Sequence, residues 1–194
     1  MTTTTHAPKA HINVRHELAA GALTQLDRYR RPLSGTVLEL GSRGDHLTAI
    51  LATRSESLIG LGRAAPTVER CRSLHPTARF LERDIRDVDS FDEGQFHGIV
   101  SKHGEIDLLG DTQRNLLLEQ LRRIITPDGV LLFTSHGLKG SGGHSYVSRE
   151  AQEQILRERG FLLLECLTPD GTDVGEGTFA YGRNRLHYAA TPGF

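Results

Sequence analysis

The chain has 194 residues, 37% hydrophobic and 24% charged, with a net charge of −1, which suits one buried core and leaves too little length for two ordinary enzyme domains. Near-neutrality and the lack of a Lys/Arg stripe on any candidate helix argue against a nucleic-acid partner, and no stretch approaches the roughly 18 apolar residues that span a bilayer. Cys71 and Cys166 are the two cysteines, neither a disulfide framework nor a zinc spacing, and the 10 histidines are scattered, so no metal is expected.

Residues 1–14 are polar, rich in Thr and without the apolar core of a signal peptide. They are expected to be a flexible tail on a single cytoplasmic domain over 15–194. His16 to Arg30 then carries Leu18, Leu23 and Leu26 on a loose helical period, stopped by Pro32. Thr36 to Leu40 is a β-branched and apolar strand that meets the turn Gly41-Ser-Arg-Gly-Asp45 before a helix over His46 to Thr53.

The alternation continues with Ser57 to Leu61 as a strand, Pro66 to Leu74 as a helix, and Ala78 to Leu81 and Gly98 to Ser101 as strands. Thr112 to Ile125 places Leu117, Leu121 and Ile124 on one helical face, and Pro127-Asp128-Gly129 is expected to end that helix before a strand over Val130 to Thr134. Val130 to Phe133 and Phe161 to Leu164 are continuous apolar runs, the pattern of parallel strands covered on both faces. Ser148 is expected to cap a helix that Gly160 closes, and 177–189, with Phe179 and Tyr181 alternating, reads as a last antiparallel strand. The result is a doubly wound α/β domain.

Taken in order, these segments resemble the class I S-adenosylmethionine-dependent methyltransferases from about Val37 to Tyr188. Val37-Leu-Glu-Leu-Gly41 is similar to the family's first motif, Leu58 to Leu61 with Val68 to Arg72 to its second strand and helix, and Asp84-Ile85 to its adenine-contacting pair. Phe96 to Val100, Leu121 to Val130 and Phe133 to His136 are similar to its fourth strand, fifth helix and fifth strand. Glu105-Ile-Asp-Leu108 and Thr134-Ser-His-Gly137 further resemble a bacterial branch that acts on small molecules. The resemblance implies a Rossmann-like, seven-stranded, mostly parallel sheet in the order 3-2-1-4-5-7-6 with helices on both faces. It also implies S-adenosylmethionine as cofactor, a small-molecule substrate as partner, and leaves a homodimer open.

In such a sheet ligands bind beyond the carboxyl ends of the strands where strand order reverses, which puts the turn after the first strand at the cofactor. Gly41 and Gly44 allow close backbone approach, the resemblance assigns Glu39 to the network that positions the methionine part, and Ser42 in the turn is a further cofactor-binding candidate. Arg43 either pairs with the methionine carboxylate or is a solvated loop arginine. Asp84 either accepts from the adenine amine, with Ile85 on the ring face, or caps the turn that follows it. Ser101 closes the list at the end of the fourth strand.

The sequence departs from the family pattern at several points. Arg43 and Asp45 stand where glycine is usual, so their side chains fill space or demand a positive φ. Gly62 followed by Arg63 stands where an acidic residue accepts the ribose hydroxyls, which predicts a weaker hold on the ribose. His97 replaces an aspartate and Gly104 an asparagine.

On the acceptor side, His103, Glu105 and His136 are candidate bases for an in-line methyl displacement. Their plainer roles are a loop hydrogen bond for each histidine and a surface pair with Lys102 for Glu105. Leu138 to His144 has the composition of a lid, with Tyr146 at its end. Two other readings stand beside methyl transfer: a cyclase, isomerase or lyase using the same cleft, and a non-catalytic binding protein.

Overall fold

The computed structural model describes residues 18–136, 148–174 and 185–193. The expected tail, the expected lid with Tyr146, and the alternation at Phe179 and Tyr181 lie outside these residues. Along the chain run α1 (Ala20–Arg28), β1 (Thr36–Leu40), α2 (His46–Arg54), β2 (Ser57–Gly62), α3 (Ala65–Leu74) and β3 (Arg79–Glu82). They are followed by β4 (Phe96–Ser101), α4 (Asp111–Ile124), β5 (Ile125–His136), α5 (Arg149–Glu158), β6 (Phe161–Leu167) and β7 (Arg185–Pro192).

The strands form one sheet of 7 in the order β3-β2-β1-β4-β5-β7-β6. β1 to β5 pair in parallel, and β7 runs antiparallel to both β5 and β6. Strand order reverses between β1 and β4, so the loops leaving these two strands diverge and open a crevice at their carboxyl ends.

Successive side chains of the central strands go to opposite faces, as the pleat requires. Leu38, Ile99, Leu131 and Phe133 join one buried layer with Leu117 and Leu121 of α4. Val37, Val100, Val130 and Leu132 join the other with Leu47 and Leu51 of α2. Helices on both faces explain why these strands are apolar without alternation. Asp45 caps α2 and Ser148 caps α5, each through a side-chain oxygen that accepts from the first-turn N–H groups. Gly160, at φ +77°, closes α5 as expected. Among the described residues no helix is long and apolar enough to cross a membrane.

The last strand is antiparallel as expected and is described over Arg185–Pro192; its expected start at residue 177 lies outside the described residues. Two expectations need correction. Phe161 to Leu164 is not a covered central strand: β6 lies at the sheet edge, paired with β7, and Leu162 and Leu164 are 46% and 49% exposed. An apolar run alone does not distinguish an edge from an interior. Finally, Pro127-Asp128-Gly129 does not separate helix from strand, since β5 already begins at Ile125. Ile125 pairs with Phe96 and Val130 with Gly98, so Thr126 to Gly129 bulge out opposite His97, where a strand tolerates proline.

Candidate functional site

The turn after β1 is built on two left-handed glycines, Gly41 at φ +75° and Gly44 at φ +63°. Gly41 is required twice, because a Cβ there would also lie 2.6 Å from Cδ of Glu105. Asp45 has φ −103°, so a side chain at this position does not demand positive φ as expected: Gly44 takes the left-handed residue instead. Beneath the turn, Glu39 is fully buried, accepting from Ser42 Oγ at 2.7 Å and Thr48 Oγ1 at 2.9 Å. Burial raises its carboxyl to about 7 against the lowering effect of those two hydroxyls.

Arg43 and Asp45, the residues that replace expected glycines, both reach across the crevice to the loop after β4. Arg43 Nη2 lies 3.3 Å from Glu105 Oε1, and Asp45 Oδ2 lies 2.9 Å from His103 Nε2. The other Glu105 oxygen accepts from Ser101 Oγ at 3.0 Å and from the His103 N–H at 3.2 Å. Arg43 is therefore not a merely solvated arginine.

At the outer side of the crevice, β2 ends at Gly62, buried, and passes to the exposed Arg63. Asp84 follows β3, and its carboxylate accepts from Arg86 Nε at 2.7 Å, Arg86 Nη2 at 3.1 Å and the Arg86 N–H at 3.0 Å. Arg63 Nε adds an ion pair at 3.4 Å. The Arg86 bond, ahead of the smaller opposing effect of burial, holds the Asp84 carboxyl below the ordinary range. Asp84 thus caps its turn, and it also faces a cavity. That cavity has a volume of about 420 Å³ and is lined by Gly41, Arg43, Gly62, Arg63, Asp84, Ile85 and Glu105, with Leu108 and Leu109 as an apolar wall.

No protein-family model matches the chain, and no curated protein matches it in sequence. Solved structures do match in shape. A TehB-like SAM-dependent methyltransferase from Corynebacterium glutamicum superposes with a TM-score of 0.70 at 17% identity, covering 91% of this chain and 89% of that one. An S-adenosylmethionine-dependent methyltransferase from Clostridium acetobutylicum gives 0.73 at 10% identity over 94% of each chain. The 1,6-didemethyltoxoflavin-N1-methyltransferase of Burkholderia thailandensis, solved with 1,6-didemethyltoxoflavin and S-adenosylhomocysteine, gives 0.66 at 15% identity, covering 89% of this chain and 81% of that one. The chain has the S-adenosylmethionine-dependent methyltransferase fold. In this methyltransferase fold the cavity lies at the strand-order reversal where the sequence placed the cofactor.

On the acceptor side the residues separate. His103, held by Asp45, stands next to Glu105, and Gly104 between them is left-handed at φ +78°. His136 ends β5 opposite Arg185. His97 lies at the start of β4, at the other end of the sheet, where its Nδ1 accepts from the Thr36 N–H at 3.2 Å. The expected surface pair of Lys102 with Glu105 is absent. Lys102 is buried and its Nζ donates to Gln25 Oε1 of α1 at 2.5 Å.

Gln25 in turn donates to the His187 carbonyl at 3.0 Å, and His187 Nδ1 lies 2.8 Å from Thr134 Oγ1. Burial, the largest cause, lowers the Lys102 amine to about 7, and burial with the nearby Lys102 charge lowers His187 to about 3. This buried chain was missed in the sequence, where nothing links Gln25 on the first helix to strands far along the chain. Asp107, which accepts from Ser135 Oγ at 3.1 Å, was missed for the same reason.

Proposed function

We propose that the chain is an S-adenosylmethionine-dependent methyltransferase acting on a small-molecule metabolite in the cytoplasm, with neither nucleic acid nor membrane as partner. The observation that carries this reading is the pairing of Arg43 with Glu105 over Gly41, at the inner end of the switch-point cavity. A guanidinium beside a carboxylate matches the two charges of an amino-acid zwitterion, the carboxylate to Arg43 and the ammonium to Glu105. At the outer end Ile85, Leu108 and Leu109 offer apolar surface to an adenine, and Asp84 an acceptor for its amine. The residues therefore fit the cofactor at its methionine and adenine ends; the ribose end holds Gly62 and Arg63 in place of a carboxylate. When bound, the cofactor supplies an electrophilic methyl on a sulfonium.

The chain's own contribution is alignment and management of one proton. Asp45 Oδ2 stands 2.9 Å from His103 Nε2; a proton kept on Nε2 by this carboxylate would leave Nδ1 as the atom that takes a proton from an acceptor hydroxyl or amine. Glu105 already accepts from Arg43, Ser101 and the His103 N–H, so it acts as a positioning residue rather than the base. His136, at the end of β5, is the second base candidate.

Calorimetric titration with S-adenosylmethionine and S-adenosylhomocysteine tests the reading. Saturable binding of both is expected, and Asp84→Ala weakens it about tenfold through loss of a charge-assisted acceptor. No binding to the unmodified protein overturns the function, and unchanged binding in the variant overturns the adenine assignment.

A further inference from the structure

We propose that the ribose end of this cleft binds an adenine nucleotide phosphorylated at the 2′ or 3′ position, with Arg63 gripping the phosphate. At the end of the second strand of an open α/β sheet, a carboxylate selects free ribose hydroxyls, whereas a nearby arginine accommodates a phosphate on the same sugar. Gly62 has no side chain to serve as the carboxylate, and the residue after it is Arg63. The charges around the cavity favour the phosphate. Arg43, Arg63 and Arg86 line it against the carboxylates of Asp84 and Glu105 alone, and Arg70 donates to the Arg43 carbonyl at its rim.

Both carboxylates are already engaged. Asp84 accepts from Arg86 on both oxygens and Glu105 accepts from Arg43 and Ser101, so each carboxylate is partly neutralised by its own arginine. Arg63 differs from the other two arginines. It meets Asp84 through Nε, at 3.4 Å, and among the described residues its terminal amines have no partner, which leaves a planar pair of donors for a phosphate. Thr67 lines the same cavity. The side chain of Arg63 is 78% exposed, so it changes partner with little desolvation.

This goes beyond the cofactor reading. S-adenosylmethionine carries no phosphate, so the nucleotide would be a second ligand that shares the adenosine end of the cleft and excludes the first.

Titration of the full chain with adenosine, 2′-AMP, 3′-AMP, 5′-AMP and inorganic phosphate is the test. The 2′- or 3′-phosphate is expected to bind about tenfold or more tighter than adenosine and 5′-AMP, a gain that falls with added salt. Arg63→Ala removes the gain, so that 2′-AMP and 3′-AMP bind this variant no tighter than adenosine does. Thermal unfolding of the ligand-free variant checks that it is folded. Equal binding of adenosine and all the phosphates, or no binding of any of them, overturns the proposal. So does a gain that survives in a folded Arg63→Ala protein, an equal gain with 5′-AMP, or inorganic phosphate binding as tightly as the nucleotides. The outcomes are separable from those of the cofactor reading: nucleotide binding without S-adenosylmethionine binding sinks only the methyltransferase proposal, and the reverse sinks only this one.

Discussion

Asp45 Oδ2 and His103 Nε2 face each other at 2.9 Å and tie the turn after β1 to the loop after β4. The other oxygen, Oδ1, accepts from the N–H groups of Leu47 and Thr48 at the start of α2. Burial alone would raise the Asp45 carboxyl, but the His103 bond and charge, with the two N–H groups, outweigh it and hold the carboxyl below its ordinary range. Because the folded value is lowered, the stability this group contributes is present above the ordinary carboxylate range and is lost as pH falls through the folded value.

One consequence is a separation of the two roles by substitution. Asp45→Ala removes the cap and the His103 partner, and is expected to cost about 1 kcal/mol in urea unfolding. Asp45→Ser restores the cap but is too short for His103, so stability returns while methyl transfer stays about tenfold or more below the parent. If the serine variant regains full turnover, His103 does not work through Asp45.

Glu39 sets a different pH dependence. Its folded carboxyl is raised to about 7, so between the ordinary carboxylate range and about pH 7 the folded protein keeps a proton that the unfolded chain has released. Stability from this group therefore falls as pH rises through that window, with a slope of at most about 1.4 kcal/mol per pH unit. Glu39→Gln keeps an acceptor for the Ser42 and Thr48 hydroxyls and removes the titration. Unfolding curves of variant and parent should converge at the acid end of the window and separate in the variant's favour towards neutral pH. A constant difference would mean that Glu39 is ionised throughout.

How far the sequence carried these features depends on distance along the chain. Buried runs such as Val37 to Leu40 and Val130 to Phe133 announce central strands by local composition, and the glycines at 41 and 44 announce the turn. The partners of Arg43 and Asp45 were not legible, since Glu105 lies 62 residues beyond Arg43 and only the packing of β1 beside β4 brings the two loops together. Lys102 was misplaced because one residue past β4 decides the face. Ser101 turns to Glu105 in the cleft, while Lys102 turns the other way to Gln25, 77 residues earlier.

Lys102 gives a prediction of opposite sign to Glu39. Burial lowers its amine to about 7, offset in part by Glu165, so between about pH 7 and the ordinary lysine range the unfolded chain binds a proton that the folded protein does not. Stability from this group rises with pH across that window. Lys102→Met removes the rise and leaves Gln25 Oε1 without its donor, a cost of about 1–3 kcal/mol. The variant's deficit in chemical unfolding should thus grow from about pH 6 to about pH 9. His187, lowered to about 3, stays neutral over that range and does not contribute. A deficit that is flat with pH would show that Lys102 remains charged beneath α1.

The ribose end of the cleft supplies the sharpest discrimination, through Gly62→Asp. The backbone at Gly62 lies outside the left-handed region, and a Cβ there would meet Val68 Cγ2 at 3.1 Å and the Ser42 carbonyl at 3.3 Å. An aspartate therefore requires the buried Val68 and the Ser42 carbonyl to give by a few tenths of an ångström, and the unfolding temperature of the ligand-free variant reports its cost. The new carboxylate would stand at the end of β2, beside Arg63, able to accept from ribose hydroxyls. S-adenosylmethionine should bind about tenfold tighter, one charge-assisted hydrogen bond at roughly 1.5–3 kcal/mol being more than enough. A 2′- or 3′-phosphate should bind more weakly in the same variant, because the carboxylate repels it and occupies Arg63. Opposite movements of the two affinities identify the ribose subsite in one experiment. Should both weaken together in a stably folded variant, the side chain merely obstructs the cavity, and Gly62 is there to leave room rather than to choose between a hydroxyl and a phosphate.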